Sequence, residues 1–198
     1  MNALRYPLLR GLAKLCSDSC SEDLESLARE AEELESLASK LPQPRLEPGG
    51  GAPLASRVSN LDELLSVAGE VTGSMELARY LVARRIYLDL RAHAPRPKGA
   101  RCSVCGSTPR LITLSRVNQG IFDGYTPTAR CACGMEWRVD EWECPSCGSR
   151  GRGFFNIYIV QPGVLEVREC RSCGYRLVVT SVRPRQVEVL LVTMLLGG

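Results

Sequence analysis

Residues 129–148 read ARCACGMEWRVDEWECPSCG and hold two cysteine pairs of unequal spacing, Cys131-Ala-Cys133 and Cys144-Pro-Ser-Cys147. Two further pairs flank them, Cys102-Ser-Val-Cys105 and Cys170-Arg-Ser-Cys173. Three of the four share the form C-x-x-C-G, with Gly106, Gly148 and Gly174 in last place. The two intervening residues let the chain curl around an ion with both sulfurs facing it, and the glycine takes a turn conformation that a Cβ penalises. Four pairs supply eight thiolates, the number that two tetrahedral metal sites require. The short pair can still serve one ion: residues i and i+2 of an extended strand point to the same side, though with fewer backbone N–H donors around the sulfurs.

The gaps favour grouping neighbours, because 25 residues separate Cys105 from Cys131 and 22 separate Cys147 from Cys170, each enough for one hairpin. Site one is then Cys102, Cys105, Cys131 and Cys133, and site two is Cys144, Cys147, Cys170 and Cys173, an internal repeat of two tandem ribbon modules. A crossed grouping stays open, since spacing does not fix connectivity. Such modules are too small to bury a core unaided, so the expected cofactors, two metal ions, act first as staples. A cage of four thiolates suits zinc or iron, and iron would add one-electron chemistry.

Upstream the texture is helical. Leu24, Leu27, Ala31, Leu34, Ala38 and Leu41 recur at spacings of three and four, which predicts an amphipathic helix opened by a capping box of Ser19 with Glu22 and stopped by Pro42. LPQPRLEPGGGAP is a loop. Helical periodicity returns with Leu61, Leu64, Leu65 and Ala68, breaks at Thr72-Gly73-Ser74, and resumes with Leu77, Leu81, Ile86, Leu88 and Leu90. Beyond residue 100 short β-like runs appear at 111–114, 154–160, 165–167 and 177–182, with Gln161-Pro162-Gly163 as a hairpin turn. The apolar run 187–196 fits either a buried strand or a docked helix. The fold class predicted is α+β: a helical domain over 1–93, a linker over 94–100, a first metal ribbon over 101–140 and a second over 141–198.

The 198 residues are 44% hydrophobic, enough for a core, and no apolar run approaches the roughly 20 residues of a bilayer span. MNALRYPLLRGLAKLC has too weak an apolar stretch for a secretory signal, so a cytoplasmic location is expected, where reducing conditions favour metal thiolates over disulfides. Residues 99–198 carry twelve Arg, no Lys and eight acids. That basicity raises the alternative of a zinc ribbon for nucleic acid, but eight thiolates around two divalent ions would cancel it, and the Arg residues are interleaved with acids. Nucleic acid is therefore the less favoured partner. Cys16 and Cys20 read as buried small side chains, and His93, the single histidine, as a charge at a helix end. Without a second histidine or a phosphate-binding glycine loop, no catalytic set can be assembled, and the chain is not expected to be an enzyme.

RCSVCGSTPR, RCACGMEWRVDEWECPSCGS and ECRSCGYRLVV together resemble the formate dehydrogenase accessory proteins of the FdhE type. The match rests on Cys102, Cys105, Gly106, Ser107 and Pro109, on Glu136-Trp137 after the second pair, on Cys144 and Cys147 after six intervening residues, and on Cys170, Cys173 and Gly174. It covers about residues 101–198, and the chain would be a short, divergent member. The resemblance implies a cytoplasmic assembly factor, chaperone-like, that binds the catalytic subunit of a formate dehydrogenase or related molybdenum or tungsten oxidoreductase, with rubredoxin-type metal sites. A rubredoxin-like electron carrier is the third alternative. Trp137, next to the first metal knuckle, is expected in the core, and Trp142, between acids, is the candidate for partner contact.

Overall fold

Between residues 19 and 90, the capping and breaking residues lead to three α-helices among the described residues. α1 spans Ser19–Ala38, α2 Leu61–Thr72 and α3 Met75–Leu90. α2 places Asp62 and Glu63 in its first turn, against the positive end of the helix dipole. It ends at Gly73, whose φ of 64° lets its N–H reach the carbonyl of Gly69. Ser74 then caps α3, its hydroxyl accepting from Leu77 N. Asn60 leaves α2 uncapped and instead ties down the proline-rich loop, accepting from Arg45 N at 2.8 Å and donating to the Gln43 carbonyl. This is a computed structural model that describes residues 6, 8, 11, 19–50, 53–97, 99–119 and 122–197, with backbone alone at 19–25, 27, 118, 119, 122, 123 and 197. Cys16 and the side chains of Ser19, Cys20, Glu22, Leu24 and Leu27 lie outside what is described.

α3 departs from a single apolar stripe. Leu81 and Ile86 are buried, but so are Ala78, Tyr80 and Val82, while Leu88 is exposed. The helix is central to its layer and needs contacts on more than one side.

Six strands form one sheet in the order β3-β2-β1-β6-β5-β4. These are β1 Leu111–Gln119, β2 Phe122–Arg130, β3 Glu136–Arg138, β4 Phe155–Gln161, β5 Leu165–Cys170 and β6 Arg176–Thr180. β1 and β2 pair antiparallel over their full length, from Leu111↔Arg130 to Gln119↔Phe122, well beyond the 111–114 run expected. Gly163, at φ 71°, closes the β4–β5 turn, where Val164 N donates to Gln161 O at 3.0 Å. The two three-stranded halves meet at a parallel seam, Leu111↔Val178 to Thr113↔Thr180.

The apolar run 187–196 is a helix, α4, spanning Gln186–Gly197. A helix apolar on nearly all sides has to be covered on more than one. Val187, Leu190 and Leu191 pack into the core shared with Leu64, Leu81 and Ile86, and Val192 packs on Leu111, Leu165 and Val178 of the sheet. α4 thus lies between helices and sheet. Its start is fixed by buried Glu188, whose carboxylate accepts from Arg185 N at 2.8 Å and from Leu8 N at 2.7 Å. The α+β class is what the chain adopts, with four helices among the described residues, one sheet and two clusters of cysteines. No helix among the described residues is long and apolar enough to cross a membrane.

Candidate metal centres

The sulfurs converge as two groups of neighbours: Cys102, Cys105, Cys131 and Cys133, and Cys144, Cys147, Cys170 and Cys173, each set lying within 4.8 Å of one another. Across the first group Cys102 Sγ is 3.6 Å from Cys133 Sγ, and Cys105 Sγ is 3.4 Å from Cys131 Sγ. Across the second, Cys144–Cys173 and Cys147–Cys170 are both at 3.7 Å. A disulfide would need about 2.05 Å. A tetrahedron with metal–sulfur bonds of about 2.3 Å has edges of about 3.8 Å. The donor set therefore fits one metal ion in each cluster.

Each full knuckle closes by the same two backbone bonds. Gly106 N donates to Cys102 O, Gly148 N to Cys144 O and Gly174 N to Cys170 O at 2.8–2.9 Å, and the first cysteine's N–H reaches the carbonyl of Ser107, Ser149 or Tyr175. Cys131-Ala-Cys133 keeps both bonds with one residue fewer: Gly134 N donates to Cys131 O and Cys131 N to Met135 O, each at 2.9 Å. The pair is thus a tightened turn, where an extended strand with fewer backbone bonds was expected. The glycine absorbs the deletion, with φ 107° against 71–77° in the other three.

Surroundings divide the two clusters. In the first, Cys102, Cys131 and Cys133 are buried among the helices. Leu54 N and Ala55 N donate to the carbonyls of Ser103 and Val104, gripping the first knuckle. The second, short knuckle is held from two helices. Arg84 Nη1 of α3 donates to Cys133 O at 3.1 Å while its Nε pairs with Glu35, and Gln186 of α4 reaches the carbonyls of Cys131 and Ala132. Trp137, 7% exposed, donates through Nε1 to Gly99 O, and Arg130 pairs with Glu136. Beside this cluster a cavity of about 440 Å³, mostly apolar, opens between α2, α3 and α4.

In the second cluster Cys144 and Cys170 are buried against Ile112, Phe155, Leu177 and Val179, but Cys147 and Cys173 are exposed. The Ser149 hydroxyl and N–H beside Cys147 bring its thiol down to about 6, favouring the thiolate that a metal requires. Ser149 also meets Ser172 across the cluster at 3.0 Å. Trp142 is half-buried: the guanidinium of Arg168 lies 3.8 Å from its ring centre, and Phe155 tilts against it. Arg168, 2% exposed, is neutralised by Glu141 and Glu166 and also donates to Glu141 O. His93 stands exposed in a short 3₁₀ turn with no ligand-type neighbour grouped with it among the described residues.

Three contributors went unread in the sequence. Arg84 is an ordinary member of a helical run, Gln186 precedes an apolar run that fits strand or helix, and Tyr175 follows a glycine turn. The Tyr175 hydroxyl donates to the carbonyls of Thr108 and Pro109, under the Arg110 guanidinium, and so links the two halves of the sheet. Burial pushes it up to about 12. No family model, curated protein or solved structure matches the chain.

Proposed function

We propose that the chain is an assembly factor that docks on the catalytic subunit of a formate dehydrogenase or related molybdenum or tungsten oxidoreductase. In this reading residues 1–93 form a helical domain and the two halves of the sheet are rubredoxin-like or zinc-ribbon modules. The observation that carries it is the ordered closing of four cysteine pairs into two cages, with Glu136 on Arg130 and Trp137 on the Gly99 carbonyl beside the first, the two residues on which the resemblance also rests. Zinc in these cages would be structural, and iron would add a one-electron couple. Either ion would hold the knuckles so that the surface around Trp142 keeps its shape. The expected location is the cytoplasm.

Nucleic acid is the weaker alternative on a specific observation: Arg130, Arg150, Arg168, Arg176 and Arg185 each sit on a carboxylate, which removes them from a continuous phosphate-binding stripe. Anaerobic purification from the source cells, with metal analysis and identification of bound proteins, tests the proposal. An oxidoreductase catalytic subunit should co-purify, and Trp142→Ala should weaken its capture while leaving the metal content unchanged. Recovery of the chain with no such subunit from cells making the enzyme would remove it, and a red protein reduced reversibly without a partner would favour the electron carrier.

A further inference from the structure

The two edges of the sheet are protected very differently. β3 is three residues long and bears a charge at each end, Glu136 and Arg138. β4, the opposite edge, is Phe-Asn-Ile-Tyr-Ile-Val-Gln, seven residues without a charge or a proline. Short length, charge and proline are the devices that keep an edge from pairing with another chain. β4 has none of them along Phe155 to Ile159, where its register with β5 runs unbroken, and a single bulge irregularity follows between Ile159 and Gln161.

The side chains at this edge are apolar on both faces. Tyr158 is 53% exposed on one face and Ile159 66% on the other, with Phe154 exposed just before the strand. Arg171 N donates to Phe154 O, and this fixes the alternation of the antiparallel ladder: the backbone groups of Phe155, Ile157 and Ile159 point away from β5, toward the open edge.

We propose that β4 pairs antiparallel with β4 of a second copy of this chain, about a two-fold axis near Tyr158. An isologous contact sets every residue near the axis against itself or its mirror neighbour, so a charged strand would place like charges together. β4 meets that requirement in its own residues, because Asn156, Ile157, Tyr158, Ile159 and Val160 near the axis are uncharged, and the charge beside them, Arg171, is drawn back onto Asn156 through Nε to Oδ1 at 2.8 Å. Ile157 packs on Ile159 of the other copy on one face and tyrosine meets tyrosine on the other. The two sheets then join edge to edge.

Sedimentation of the full-length, metal-loaded chain over a range of concentrations tests this, together with hydrogen exchange at residues 155–161. A reversible dimer is expected, with β4 amides gaining protection as concentration rises. Ile159→Lys and, separately, Tyr158→Arg should each shift the dimer to monomer by at least about tenfold in dissociation constant. Both positions are exposed, so metal content and helix signal should be unchanged. A chain monomeric throughout, a dimer indifferent to both substitutions, or an edge found occupied by a different protein overturns the proposal. None of these outcomes depends on the oxidoreductase partner.

Discussion

Cluster one and cluster two are built from the same knuckles, closed by the same backbone bonds, yet they stand in different media. In the first, three of four cysteines are buried and both knuckles are gripped by helical elements, through Leu54, Ala55, Arg84 and Gln186. In the second, Cys147 and Cys173 face solvent, and the knuckle from Arg171 to Gly174 is exposed throughout. The first metal position thus joins helices to sheet, and the second pins down one corner of the sheet. Identical ligand chemistry leads to a joint in one place and a surface fixture in the other.

The comparison can be broken most directly by removing one ligand from each cluster. Cys133→Ser should cost about 5 kcal/mol or more, because a buried ligand and the docking of two helices are lost together. Cys173→Ser should cost roughly half as much, releasing one metal while the helical core still melts cooperatively. Metal analysis with thermal melts followed in the helix signal checks both, and equal losses would mean the clusters are interchangeable.

Chelation sharpens the same contrast kinetically. Under a competing chelator and an alkylating agent, Cys147 and Cys173 should be labelled at least about tenfold sooner than Cys102, Cys131 and Cys133, since the second cluster needs less opening of the surrounding structure. Mass spectrometry of the labelled peptides reads the order.

Glycine substitutions are subtler. Gly134→Ala meets a φ of 107°, the Arg84 guanidinium and the Tyr87 ring, whose edge lies 2.8 Å from the added Cβ position, and should cost about 2–3 kcal/mol. Gly174→Ala has open space and only its φ of 71° to oppose, so about 1 kcal/mol is expected. Denaturant midpoints of the two variants give the difference.

The smallest effect lies at the seam. Tyr175 is raised to about 12 in the folded chain, so its contribution is fully present below the ordinary tyrosine value of about 10 and fades as pH rises through the folded one. Tyr175→Phe should lose about 1 kcal/mol at neutral pH and flatten the alkaline decline, measured as melting temperature against pH.

What could be read in the sequence followed from local chemistry. Gly73 and Ser74 divide α2 from α3 where the periodicity breaks, and Pro162-Gly163 turn β4 into β5. The sulfurs converge along the lines their gaps suggest. What was hidden was long-range. The far part of β1 and β2 lacks alternation, carrying Asn118, Gly124 and Pro127, and owes its pairing to register carried outward from Leu111↔Arg130. The parallel seam joins residues 67 apart along the chain at Leu111 and Val178, and nothing local marks it. The helical state of residues 186–197 depends on apolar surfaces from both layers, which a one-dimensional pattern does not contain.

Gln186 also sets a schedule. It holds the carbonyl of Cys131, 55 residues earlier in the chain, and the helix it opens supplies Val187, Leu190 and Leu191 to the core around the first cluster. At synthesis rates of about 5–20 residues per second, the four cysteines of that cluster are complete roughly 3–11 s before the helix that covers them exists. During that interval the cluster has thiols and no lid. The four thiols of the innermost cluster are therefore all made before the helix that closes over them.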